Sequence, residues 1–293
     1  MSFRPTASLL SKTQSSKTWL ARHSDDPYVK QRTSHVYRSR SAFKLLGIDS
    51  KNKMLFRHEG VRAVVDLGAA PGGWSQVVAG IMGLGGKKSK AKTEESWGIK
   101  SQDGLWSSPP VRPPVPTPPS VNKRTIVALD RLKMDPIAGV HTLQMDFLDP
   151  DAEGVIAEVL RRDGIEDGKA DVVLSDMAAN MTGNRISDTE SSLEICNAVM
   201  EFCKKHVRSA QDEGHRHGGS LLIKYFQSPE LQFFRRQQLE PHFRIVLHVK
   251  PDASRSESSE AYWLCKGFGE FREKKSKLSF PTLPVYPTTA SSA

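Results

Sequence analysis

The sequence predicts an α/β fold: a seven-stranded, mostly parallel sheet with a final antiparallel strand and helices on both faces. Three observations carry this. Seven short strand-like runs, several of them rich in β-branched residues, recur at 63–67, 125–129, 141–145, 171–175, 220–223, 244–249 and 261–265. Helical patterns lie between them, and strands that alternate with helices build parallel sheets covered on both sides. A glycine-rich turn follows the first run, at the kind of position where such sheets bind ligands.

The chain opens with about fifteen Ser/Thr-rich residues that carry Arg4 and Lys12 and no acid. This composition fits a mitochondrial presequence over 1–15 and a matrix location. Residues 16–60 form a basic extension. The first strand then leads into Asp66-Leu67-Gly68-Ala69-Ala70-Pro71-Gly72-Gly73-Trp74-Ser75. A glycine-rich turn that opens a helix lets backbone approach a nucleotide-like ligand. The turn departs from G-x-G-x-x-G, since Ala70 takes the second glycine position. No Walker lysine follows, which argues against a P-loop.

Residues 84–123 begin Gly-rich and Lys-rich after Leu84 and end with seven prolines between Pro109 and Pro119. Such a composition packs no core and reads as an extended loop. The second strand runs to Asp130, 64 residues after Asp66. Without the 40-residue segment the gap is 24, close to the spacing at which an acid takes ribose hydroxyls. The segment is therefore an insertion in one loop. The third strand leads to Asp146, the fourth to Asp176 and the fifth to Lys224. The pattern over 189–207 is helical, with Leu193, Cys196, Val199, Met200, Cys203 and Val207 on one face. If the final strand runs antiparallel to the rest, it begins at the edge where the parallel strands end, and Glu260, which directly precedes it, would join Asp176 and Lys224 there. Residues 269–293 are Pro/Ser/Thr-rich and read as a loose tail.

Composition limits the function classes. Over 293 residues the formal net charge is +9. It divides unevenly: 12 Lys/Arg against 4 Asp/Glu in 1–60, 7 against 3 in 84–123, and 22 against 25 in 124–293. A one-sided basic footprint is the mark of a nucleic-acid binder. Three cysteines do not make a disulfide scaffold. No run of 18 apolar residues exists to span a membrane. A nicotinamide oxidoreductase is disfavoured by the glycine pattern and by the lack of a placed Tyr-x-x-x-Lys. His215 and His217 lie in a charged loop with no cysteine or acid spacing to complete a metal site, so no metal is assigned.

These residues together resemble the FtsJ-like (RrmJ-type) 2'-O-ribose methyltransferases that act on ribosomal and transfer RNA. The matching stretches are Tyr37-Arg38-Ser39-Arg40-Ser41-Ala42-Phe43-Lys44-Leu45, then 65–76, 134–140, 175–183, 218–227 and 250–262. The resemblance covers 16–268 and implies a Rossmann-like class I methyltransferase domain over 61–268. It places the family's Lys-Asp-Lys-Glu tetrad on Lys44, Asp176, Lys224 and Glu260. The implied methyl donor is S-adenosyl-L-methionine, held by Gly68, Ala70, Pro71, Gly72, Gly73, Trp74, Asp130, Asp146 and Asp176. Asp130 would take the ribose and Asp146 the adenine. Ala179 departs from the family, which usually has proline there.

The implied reaction is attack of a ribose 2'-hydroxyl on the donor methyl. Lys224 is the expected proton acceptor, with Lys44 nearby as a second cation that disfavours the ammonium form. Asp176 orients Lys224 and the methyl, while Lys44 and Glu260 position the ribose. Arg32, Arg38 and Arg40 are expected to grip RNA phosphates, a contact that gives register rather than sequence choice. The stretches 16–22 and 26–30 look most like the mitochondrial large-subunit rRNA branch. The expected substrate is a uridine of that rRNA, either as naked RNA or within a large-subunit assembly particle, acted on by a monomer. Alternatives are a tRNA or cytosolic rRNA substrate, or an RNA-binding assembly factor without catalysis.

Overall fold

The computed structural model describes residues 37–52, 60–84, 124–178, 183–212, 217–254 and 258–269. The proposed presequence, Arg32, Ala179, His215, residues 85–123 of the insertion and the tail from 270 lie outside them. In chain order the elements are α1 (Ser41–Asn52), β1 (Ala63–Leu67), α2 (Gly73–Ile81), β2 (Thr125–Asp130), β3 (His141–Gln144), α3 (Ala152–Arg162) and β4 (Val172–Ser175). There follow α4 (Arg185–His206), β5 (Ser220–Phe226), α5 (Pro229–Phe234), a π-helical turn (Arg235–Leu239), β6 (Phe243–Val249) and β7 (Glu260–Phe268).

The strands form one seven-stranded sheet in the order β3-β2-β1-β4-β5-β7-β6. Strands β1 to β5 pair in parallel, while β7 lies antiparallel between β5 and β6. The expected architecture holds, including the antiparallel final strand. Strand β5 runs two residues past Lys224, because β7 pairs with it along its whole length from Ser220↔Lys266 to Phe226↔Glu260. Lys224 therefore sits inside a strand rather than beyond its end.

Side chains alternate across the sheet with the two-residue period of a strand. Val65 and Leu67, Val127 and Leu129, Leu221, Ile223 and Tyr225, and Trp263 and Cys265 pack on one face, against α3, α4 and α5. Val64, Ile126, Leu174, Leu222, Tyr262 and Leu264 pack on the other, against α1 and α2. Helix α1 buries Ala42, Leu45 and Ile48, the stripe of an amphipathic helix. Helix α4 begins four residues before the pattern suggests, because the Asn184 side chain accepts from Ile186 N and caps it. Its Cys196 and Cys203 are buried core residues, as expected.

The insertion leaves the sheet intact, with β1 and β2 paired directly from Ala63↔Thr125 to Leu67↔Leu129. Its two stubs are anchored at the edge where the parallel strands begin. Arg124 Nη1 donates to the Met82 carbonyl at 3.2 Å, and Leu84 lies against Gly139, just ahead of β3.

Candidate active site

The order of strands reverses direction between β1 and β4, which opens a crevice at their carboxyl ends. The tetrad gathers beside it on the α1 face of the sheet. Alternation puts Lys224 on the same face as Leu222, and Glu260 and Tyr262 on the same face as Leu264. Register places Tyr262 opposite Lys224 and Glu260 opposite Phe226. Helix α1 crosses that face and delivers Lys44.

The four groups form two ion pairs. Lys44 Nζ meets Glu260 Oε1 at 2.7 Å and Oε2 at 2.8 Å, both side chains being about one-eighth exposed, 12% and 13%. Lys224 Nζ meets Asp176 Oδ1 at 3.0 Å and donates to the Asp176 carbonyl at 2.5 Å. Tyr262 joins the second pair, donating its hydroxyl to Asp176 Oδ1 at 2.8 Å. Ser254 Oγ donates to Glu260 Oε1 at 2.8 Å. Burial pushes the Glu260 carboxyl up, but the Lys44 charge and hydrogen bonds from Lys44 and Ser254 outweigh it and hold it below the usual carboxylate range. Burial, with the negative charges of Asp176 and Glu260, holds the Tyr262 phenol well above its ordinary value, so it stays a donor.

This geometry corrects one expectation. Lys44 does not act on Lys224 as a bare cation, because both Glu260 oxygens bind it and offset its field. Tyr262 is the residue that sequence reasoning missed. The signal available was its place two residues after Glu260, on the same strand face.

Beside the tetrad lies the glycine-rich turn. Gly72 has φ of 102° and caps α2 without a side-chain hydrogen bond. A left-handed position of this kind favours glycine. A Cβ on Gly73 would collide with the Ser39 hydroxyl, so the turn and the Arg38–Ser41 segment pack backbone to side chain. Asp130 closes the turn from β2: Oδ2 accepts from Ala70 N at 2.8 Å and Oδ1 from Leu132 N at 2.7 Å. Asp146 is exposed two residues beyond β3, where its Oδ1 accepts from Leu148 N at 3.0 Å. Within β1, Asp66 is buried and accepts from Ser75 Oγ at 2.6 Å.

Two expectations about side chains change here. The Trp74 ring does not line the crevice: it is 2% exposed, packs on Tyr262 at 5.7 Å and donates Nε1 to the Ser41 carbonyl. What Trp74 offers the crevice is backbone in the first turn of α2, where N–H groups have no intrahelical acceptor. Arg38 and Arg40 both hold backbone carbonyls of this chain. Arg38 donates to Asp135 O at 2.6 Å and Pro136 O at 2.7 Å, and Arg40 to Ala253 O at 2.8 Å.

Residues 37–268 match the FtsJ-like methyltransferase family model. The chain belongs to this family. Relatives of the FtsJ-like chain include the protein named ribosomal RNA large subunit methyltransferase E of Rhizobium meliloti (strain 1021). It is 37% identical over 254 residues, covering 87% of this chain and 82% of the relative. The protein of the same name from Bradyrhizobium diazoefficiens is 40% identical over 254 residues, covering 87% and 88%. Among solved structures, one described as a ribosomal RNA methyltransferase from Plasmodium falciparum superposes with a TM-score of 0.55. It is 22% identical and covers 80% of this chain and 100% of that one, a likeness of fold.

S-adenosyl-L-methionine is the methyl donor of the FtsJ-like family, and the crevice suits it. The turn at Gly72 and Gly73 opens α2 at the carboxyl end of β1, where the first backbone N–H groups of a helix have no intrahelical acceptor. Asp130 is fixed by two backbone N–H groups at the end of β2, and its carboxylate retains acceptor capacity for ribose hydroxyls. Asp176 supplies negative charge at the mouth of the crevice, next to Lys224. Among the described residues, no group of three or more His, Cys, Asp or Glu could hold a metal ion. No helix among them is long and apolar enough to cross a membrane.

Proposed function

We propose that this chain methylates a ribose 2'-hydroxyl in mitochondrial large-subunit ribosomal RNA. The observation that carries the reading is the doubly paired tetrad, Lys44–Glu260 beside Lys224–Asp176, at the mouth of a donor crevice. When bound, S-adenosylmethionine supplies a methyl group on a positively charged sulfur. Asp176, which holds Lys224 through its carboxylate and its carbonyl oxygen, would face that charge. Lys224, held at Asp176, is the group placed to accept the 2'-hydroxyl proton as the oxygen–methyl bond forms and the sulfur–methyl bond breaks. The Lys44–Glu260 pair presents fixed hydrogen-bonding groups to the ribose. Holding reactants in a reacting geometry can lower the barrier by about 7–11 kcal/mol in well-oriented systems.

The choice of ribosomal RNA is supported by the names of the bacterial relatives. The acid-free, Ser/Thr-rich start of the sequence supports the mitochondrial address. Uridine as the modified nucleotide, and an assembly particle as its setting, complete the reading.

The test is transfer of labelled methyl from S-adenosylmethionine to ribosomal RNA of each compartment, mapped to one nucleotide. Label on one mitochondrial large-subunit ribose supports the reading. Label on a base atom overturns the ribose assignment, and label confined to cytosolic RNA overturns the address. Separately, a Lys224→Arg variant with full single-turnover activity would exclude Lys224 as proton acceptor.

A further inference from the structure

We propose that Arg38 is a positioning residue for the methyl donor's pocket rather than a grip on RNA phosphate. The inference rests on the methyltransferase reading of the crevice. The Arg38 guanidinium bridges two loops that the sequence separates widely. It donates to the carbonyls of Asp135 at 2.6 Å and Pro136 at 2.7 Å, in the loop between β2 and β3, and to Pro71 O at 3.4 Å in the glycine-rich turn. Its own backbone N–H donates to Gln76 Oε1 at 2.8 Å, on the first turns of α2. Arg38 thus touches the turn after β1, the helix that the turn opens and the loop after β2.

These are the walls of the donor crevice. The turn carries Gly72, and a Cβ there would press on Ile137 Cδ1 at 2.7 Å and Arg38 Nη1 at 3.2 Å. The loop after β2 begins at Asp130, whose carboxylate holds Ala70 N. Asp130 therefore ties the two walls together at the sheet, and Arg38 ties them again farther out. Five N–H donors in a rigid plane suit a group that must span several carbonyls at once. Lysine carries the same charge on a point-like ammonium and cannot span them. A phosphate contact, by contrast, largely survives exchange of arginine for lysine, since its affinity comes from charge.

The test compares Arg38→Lys and Arg38→Met with the wild-type chain, after thermal unfolding shows which variants fold. S-adenosylhomocysteine affinity is measured by calorimetry, steady-state kinetics gives KM for S-adenosylmethionine and kcat, and RNA affinity is measured across a salt series. We expect both variants to lose at least tenfold in S-adenosylhomocysteine affinity. Donor KM should rise by a similar factor, with kcat at saturating donor falling less than threefold. The slope of log affinity for RNA against log salt should not change. The proposal is overturned if S-adenosylhomocysteine affinity stays within twofold of wild type, or if Arg38→Lys restores it fully. It is equally overturned if Arg38→Met lowers the salt slope by about one while Arg38→Lys does not. A wild-type chain that binds no S-adenosylhomocysteine would instead sink the methyltransferase reading, a distinguishable result.

Discussion

Tyr262 donates its hydroxyl to Asp176 Oδ1 at 2.8 Å, the oxygen that also faces Lys224 Nζ at 3.0 Å. One carboxylate oxygen is therefore shared by a neutral donor and a cationic one. Tyr262→Phe removes the neutral donor while keeping the ring that packs on Trp74. A hydrogen bond to a charged group contributes roughly 1.5–3 kcal/mol. The variant should keep its fold and lose about 10- to 100-fold in kcat. Single-turnover methyl transfer with thermal melts checks this, and an unchanged kcat would show that Asp176 is aimed without Tyr262.

The Lys44–Glu260 pair joins residues 216 positions apart. Removing one partner leaves a largely buried charge alone, so Lys44→Met should cost roughly 3 kcal/mol of stability. Lys44→Met/Glu260→Met should cost clearly less than the sum of the single changes. Urea denaturation of the four proteins measures the difference, and strict additivity would deny the coupling. Because Glu260 is held below its usual range, its contribution is full above about pH 4.5. It is lost as pH falls through its lowered folded value.

Asp66 behaves in the opposite sense. Burial pushes its carboxyl up from 3.8 to about 7, against the Ser75 hydroxyl and helped by the negative charges of Asp176 and Asp130. Between those values the folded chain holds a proton that the unfolded chain releases, so this group's contribution to stability falls as pH rises from about 4 to about 7. Asp66→Asn has no proton to lose. Relative to wild type it should gain stability across that window, by at most roughly 1.4 kcal/mol per pH unit. Melts at pH 5 and pH 8 test this; a constant difference between the two proteins refutes it.

The stubs of the insertion stand together at the edge opposite the tetrad. Replacing 85–123 by a short Gly/Ser loop should leave the sheet register intact. The shortened chain should melt within a few degrees of wild type and bind S-adenosylhomocysteine with the same affinity. Loss of cooperative unfolding would show that the segment contributes to the fold.

The strands could be read from the sequence because the buried runs are short, apolar and in several cases β-branched, as in β1, β2 and β4. Asp130 and Asp176 could be read with them, since a polar residue closing such a run marks a strand end. The partner of Lys44 could not. No local spacing joins it to Glu260, and only resemblance to a family named the pair. Arg38 shows the limit of reading charge alone. Basic residues beside Lys44 suggest a polyanion, but Arg38 reaches carbonyls 97 and 98 positions away, a partnership that only the folded chain creates. The Trp74 ring departs from its expected place for a related reason. Its position in the turn is that of a ligand contact, yet its ring turns inward to Tyr262, a residue on the last strand.

That last strand sets an order of events. Strand β7 occupies a slot between β5 and β6, both of which precede it in the chain. Glu260 and Tyr262 enter the site only when that slot is filled. During synthesis, Lys224 and Asp176 emerge well before the residues that complete their surroundings. Pairing at such sequence separation is slow to form. A nascent chain that has made the donor crevice therefore still lacks half of the groups that would hold a ribose. Capacity for transfer arises late, in the same step that closes the sheet.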